Sequence, residues 1–169
     1  MGALDGLKIL DFSTLLPGPY ATLLLADLGA EVLKVSSRDK YDLVVHWPPE
    51  IEGSGTTAAA AWLGRNKKTI FLNLKKPSAV EAVKRLILEY DILVEQFRPG
   101  VMAKLGLEPG QCCMVGNDIG EDMLAPMALG MHTFFLNEQP LGEWGEVTPC
   151  RGGDYTALEA FIDEVLEAE

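Results

Sequence analysis

Short apolar runs alternate with amphipathic stretches from one end of the chain to the other. That alternation is the pattern of a mostly parallel sheet covered by helices, so an α/β fold is expected before any motif is considered. Leu7–Phe12 reads as a buried strand, and Pro17-Gly18-Pro19 then breaks the chain ahead of a helix over 20–28, with Gly29 as its stop. Strands are expected at 31–35, 69–74, 91–94, 112–115 and 131–136. Helices are expected from Pro77, where Val80, Val83, Leu86 and Ile87 share a face, and over 120–129. The closing segment is the most regular, with Asp154 as N-cap and Leu158, Phe161, Ile162, Val165 and Leu166 on one stripe. Between Ser36 and Asn66 the periodicity weakens into a long irregular stretch, and connections of that length usually serve a function.

Composition narrows the choice of function. At 169 residues with 48% hydrophobic side chains the chain can bury a core. Its formal charge of −11 repels nucleic acid and anionic lipid, so neither is expected as a partner. The first residues lack a basic segment ahead of their apolar run, and no apolar stretch reaches spanning length. Three cysteines, at 112, 113 and 150, offer neither a paired disulfide framework nor a C-x-x-C zinc spacing. A reducing cytoplasmic location is the expectation, with no redox role for Cys112 and Cys113 beside their acidic loop.

Two places hold residues suited to chemistry. The first strand ends at Asp11-Phe12-Ser13 and turns into a helix, which puts backbone N–H donors at a strand's carboxyl end, where open α/β sheets bind ligands. Arg38, Arg65, Lys67 and Lys68 lie in or beside the irregular stretch. They either surround a phosphorylated group or are solvated surface charges. Farther on, Asp118 and Asp122 stand four apart after a strand. Either they hold a hard cation such as Mg²⁺, or Asp118 or Asn117 caps the following helix with Glu121 and Asp122 in its first turn, and spacing alone favours capping.

The words LDGLKILDFSTLLPGPYATLLLADLGAEVLKV and RNKKTIFLNLKKPSAVEAVKRLILEYDILVEQFRPGVMAKLGL resemble the N-terminal half of family III CoA-transferases, over residues 2–107. The resemblance implies a three-layer, Rossmann-like fold and CoA or an acyl-CoA as ligand. It implies contacts from Leu16, Arg38, Leu63, Lys67, Gln96, Phe97 and Lys104. The nucleophilic aspartate of that family falls downstream of the matching words, and neither Asp11 nor Asp91 corresponds to it. From residue 106 onward, LGLEPGQCCMVGNDIGEDMLAPMALGMHTFFLN is similar to the fourth motif and closing strand of haloacid dehalogenase-type phosphatases, which implies Mg²⁺ at Asp118 and Asp122. Phosphatase chemistry itself is not expected, because Ser13 stands where the acid/base carboxylate belongs and cannot protonate a leaving group.

Together these resemblances imply one recombined domain. Residues 1–107 would form a CoA-transferase-like half, and 108–169 would complete its sheet, with the 112–115 strand beside 7–12. Function follows as a CoA-binding, catalytically incomplete fragment, the alternatives being a phosphatase relic and an inactive scaffold. Apolar faces left without a partner within the chain would favour a homodimer.

Overall fold

The computed structural model describes residues 2–39, 42–96, 101–137 and 151–167. The α/β class is as expected, with mostly parallel strands. The chain divides into two compact units, residues 1–101 and 102–169.

The first unit is built on β1 (Lys8–Asp11), β2 (Glu31–Ser36), β3 (Glu50–Ile51), β4 (Thr56–Thr57), β5 (Lys67–Phe71) and β6 (Ile92–Val94). Four of these form a parallel sheet in the order β5-β2-β1-β6, and β3 and β4 pair antiparallel as a separate ribbon. Ile9, Leu10, Val32, Leu33 and Val35 are buried, so β1 and β2 form the apolar centre of the sheet, interrupted by Lys34. Helices α1 (Pro17–Asp27), α2 (Ala58–Gly64) and α3 (Pro77–Ile87) accompany them. Ala26 and Ala30 pack with Ile9 and Val32 in the core, flanked by Leu4, Leu7, Leu25 and Val94. Thr57 starts α2 by accepting a bond from the Ala60 amide at 3.1 Å. Helix α3 begins at Pro77 as expected, and it buries Ala79 and Val83.

The strand order matters for function. Successive strands move outward from β1 through β2 to β5, and the chain then crosses back to place β6 on the other side of β1. The reversal lies between β1 and β6, and crevices at such a reversal, outside the carboxyl ends of the strands, are where doubly wound sheets take ligands.

The second unit contains α4 (Val101–Leu105, whose first residue belongs to the preceding unit), β7 (Cys113–Gly116), α5 (Ala125–Ala128), β8 (His132–Leu136), β9 (Arg151–Gly153) and α6 (Tyr155–Glu167). Its sheet is parallel, in the order β7-β8-β9. Phe134 and Phe161 are buried with ring centroids 5.3 Å apart, and Met123 is fully buried. The expected helix over 120–129 is a wide π-type turn at Ile119–Leu124 followed by the short α5. Asp154 does cap α6, accepting from the Ala157 amide at 3.0 Å.

One expectation fails. The strand near 112–115 does not join the sheet of β1; among the described residues it pairs only with β8, in a separate three-stranded sheet. Apolar alternation specifies that a segment is a buried strand, but the identity of its neighbour depends on register and crossover geometry, which that alternation does not encode.

Candidate functional site

Asp11 closes β1 with no exposed surface. Its Oδ1 accepts from the Ser13 amide at 2.8 Å and the Ser13 hydroxyl at 2.5 Å, and its Oδ2 accepts from the Thr22 hydroxyl of α1 at 2.6 Å. Two ammonium groups stand beside it. Lys34 Nζ from β2 and Lys67 Nζ from β5 each lie 3.5 Å from a carboxylate oxygen. Lys34 also donates to the Ser13 carbonyl, and Lys67 donates to Thr22 Oγ1 and the Pro19 carbonyl, both at 2.7 Å. Burial alone would push the Asp11 carboxyl up, but Lys34 and the bonds from Ser13 and Thr22 hold it below the usual carboxylate range. Burial depresses both lysines, a shift that Asp11 opposes in each case.

This cluster lies under the turn that leads from β1 to α1. Leu15 in that turn has a φ of 62°, a left-handed conformation that a non-glycine residue keeps only where its surroundings enforce it. Its amide donates to both Asp42 carboxylate oxygens at 3.3 Å. Thr14 accepts from Gln96 Nε2 at 3.0 Å, which ties the loop after β1 to the loop after β6 across the strand-order reversal. Gly18 packs against Ser13 so closely that a Cβ there would collide with the serine side chain. Leu16, half-exposed at the N-cap of α1, follows the comparably exposed Leu15 in this turn.

An opening adjoins the carboxyl ends of β2 and β5. A cleft of about 480 Å³ is lined by residues including Arg38, Asp39, Phe71, Asn73, Lys76 and Ser78. The Arg38 guanidinium stands 5.1 Å from the centroid of the exposed Phe71 ring. Asp39 accepts from the Asn73 amide group, which fixes the cleft wall. Lys76 precedes Pro77 and starts α3 without a side-chain cap, so the first turn of the helix presents its positive end next to two basic residues.

The residues expected from sequence therefore fall into distinct settings. Arg38, Leu16 and Gln96 lie in the loops that follow β2, β1 and β6, with exposed surface. Lys67 does not serve as a free cation: its side chain is 2% exposed and committed to Asp11, Thr22 and Pro19. Leu63 is 4% exposed, so it packs into the interior instead of lining an opening. Arg65, weighed with them, pairs with Asp27 at the other end of α1, and Lys68 pairs with Glu31. Lys104 is exposed on α4 in the second unit, and Phe97 lies outside the described residues.

Asp118 caps the π-type turn, and Asp122 within that turn reaches back to the backbone ahead of it. Asp118 Oδ1 accepts from the Glu121 amide at 2.8 Å, and Asp122 Oδ2 accepts from the amides of Asn117 and Asp118 at 3.1 Å each. Mg²⁺ requires near-octahedral oxygen coordination, whereas these carboxylates are turned toward backbone donors. Among the described residues, no group of three or more potential ligands is gathered. The pair does not fit Mg²⁺. The Cys113 thiol is pushed up by burial first and Cys112 second.

Sequence reading missed the role of Asp11. The available signal was Lys34, an ammonium inside the apolar run EVLKV of a buried strand, which needs a carboxylate partner. Asp39, Phe71, Asn73 and Lys76 were also missed, because the cleft exists only once β2 and β5 are neighbours.

Residues 4–116 match CoA-transferase family III. Human succinyl-CoA:glutarate CoA-transferase is 41% identical over 154 residues, which cover 91% of this chain and 32% of that protein. The succinyl-CoA:mesaconate CoA-transferase of Haloarcula marismortui is 40% identical over 107 residues, covering 62% of this chain and 27% of that protein. Among solved structures, a CAIB/BAIF family protein from Brucella suis superposes with a TM-score of 0.56 at 26% identity, covering 95% of this chain and 39% of that one. Rv3272 from Mycobacterium tuberculosis gives a TM-score of 0.54 at 29% identity, over 80% of this chain and 34% of that one. The chain spans about a third or less of the length of these curated relatives. With the match running through every strand of the first unit and past its end, the chain belongs to CoA-transferase family III.

Proposed function

We propose that the first unit binds CoA or an acyl-CoA at the carboxyl edge of its sheet, and that this chain alone does not complete a transfer. The observation that carries the reading is the open cleft beneath Arg38, on a sheet whose family acts on CoA thioesters. Arg38 and Lys76 supply cations for phosphate oxygens in a protein that is otherwise strongly acidic. Phe71, already stacked under Arg38, offers a flat surface to the nucleotide base. Leu16 and Gln96 stand at the β1 and β6 loops, where the pantetheine arm would run. Phe97, outside the described residues, and Lys104, in the second unit, are implied by the resemblance alone.

The absence of transfer rests on the family's nucleophilic aspartate having no counterpart in the matching words. Asp11 is unsuited to nucleophilic attack, because it has no exposed surface and its carboxylate already accepts from Ser13 and Thr22. We further read residues 106–169 as a joined segment of haloacid dehalogenase-like ancestry on the resemblance alone, with the CoA-transferase match running into its first strand. No Mg²⁺ step follows from it.

Calorimetric titration of CoA should give a dissociation constant in roughly the micromolar-to-millimolar range. Arg38→Ala should weaken binding about tenfold or more, and added salt should weaken it further, because the pairing is with exposed phosphate charge. An acyl-exchange assay on the same sample should remain at background. Binding indifferent to Arg38 and to salt would sink the reading of the cleft, and steady exchange would reveal a nucleophile in the chain.

A further inference from the structure

We propose that Asp11 is a positioning residue: through Ser13, Thr22, Lys34 and Lys67 it sets the shape of the β1–α1 turn, which carries Leu16 of the proposed CoA site. The inference rests on the CoA reading for what is positioned, though not for the positioning itself. One carboxylate here joins β1, α1, β2 and β5. Among the described residues, no other carboxylate combines complete burial with two neighbouring ammonium groups.

The bonds have a direction that explains their effect. Lys67 donates to Thr22 Oγ1, and the Thr22 hydroxyl donates its one proton in a hydrogen bond to Asp11 Oδ2 at 2.6 Å. Thr22 is therefore a relay that fastens the first turns of α1 to the sheet. Ser13 is held from both sides, its amide and hydroxyl by Asp11 and its carbonyl by Lys34. With Ser13 pinned, the chain must rise through the left-handed Leu15 into α1, and Thr14 is left facing Gln96. Lys67 and Lys34 thus act by holding the turn and the start of α1, without touching a phosphate.

That distinction can be measured in the full-length chain. Lys67→Met, Thr22→Val and Ser13→Ala would each be compared with wild type for binding of CoA and of pantetheine, which lacks the nucleotide phosphates. Positioning predicts that each variant weakens both ligands by the same factor, about tenfold, and leaves the salt dependence of CoA binding unchanged. A loss confined to CoA, with a flatter salt dependence in Lys67→Met, would make Lys67 a direct phosphate ligand and overturn the proposal.

Amide hydrogen exchange supplies the arm that needs no ligand. Ser13, Thr14 and Leu15 should exchange at least about tenfold faster in Thr22→Val and Ser13→Ala, with Leu10 and Val32 still protected. Unchanged exchange in the turn overturns the proposal even if affinity falls. Ser13→Ala removes a single hydroxyl and keeps the test open if Lys67→Met fails to fold. A wild-type chain that binds neither ligand would remove the CoA reading, while the exchange arm would still decide whether Asp11 positions the turn.

Discussion

A carboxylate with no exposed surface keeps its charge only if its surroundings replace the water it has lost, and Asp11 has two hydroxyls, one amide and two ammonium groups to do so. Removing it by Asp11→Ala would leave Lys34 and Lys67 without their shared partner, and a loss of about 3–5 kcal/mol in unfolding free energy is expected. Urea denaturation would read it, and a loss below about 1 kcal/mol would mean that the lysines are adequately solvated without Asp11. The pH dependence has two limbs. Asp11 is depressed, so its stabilisation is present above the unfolded carboxylate value of about 3.9 and is lost as pH falls through the lower folded value. Lys34 and Lys67 are depressed as well, each by burial first, although Asp42 also favours the charged form of Lys34. Between their folded values and the ordinary lysine value of about 10.4 the unfolded chain binds more protons, so stability rises with pH through that window. The difference in unfolding free energy between wild type and Lys67→Met should therefore shift in favour of wild type from about pH 7 to about pH 10. A shift in the opposite direction would show that ion pairing outweighs burial. At this scale sequence was least informative. Lys67 was identifiable as an important cation, but its burial depends on α1 lying over β5's first residue, and no local pattern reports that contact.

Helix starts and close approaches govern the elements. Thr57→Ala removes the hydroxyl that caps α2 and should cost about 1 kcal/mol, measurable as a lower urea midpoint. Gly18→Ala is a sharper case. Its Cβ would meet Ser13 Cβ and Oγ, with Gln96 Oε1 3.4 Å away, so the β1–α1 turn must open. CoA affinity should fall by more than global stability does, and equal affinity in this variant would show that the turn is not part of the ligand wall. In the second unit, a Cβ at Gly116 would enter the Asp122 side chain that accepts from Asn117 and Asp118. Elements were the most legible level of the sequence. Pro77 marks the start of α3 and Asp154 that of α6, because proline and caps act within one turn of chain, whereas α1 begins at Pro17, inside the stretch expected to break the chain ahead of Tyr20. The 120–129 helix was the weakest case: Pro126 lies in its middle, and a π-type turn precedes it.

For the whole molecule, the alternation of apolar runs was enough to establish a parallel α/β class, but not how many sheets the strands would form. Two compact units emerge, each with its own sheet, and among the described residues no helix is long and apolar enough to cross a membrane. The cleft that supports the functional reading depends on β5 pairing with β2, a contact between distant segments of the chain, so its lining could not be named from local signals. The functional reading stands or falls on whether the carboxyl edge of the first sheet holds CoA. Hydrogen exchange of the full chain, with and without millimolar CoA, tests it most directly. Slower exchange is expected in the loops at 12–16, 37–39, 72–76 and 95–96, with the amides of β7–β9 unchanged. No slowing in those loops at millimolar CoA, or slowing confined to residues 102–169, would contradict it.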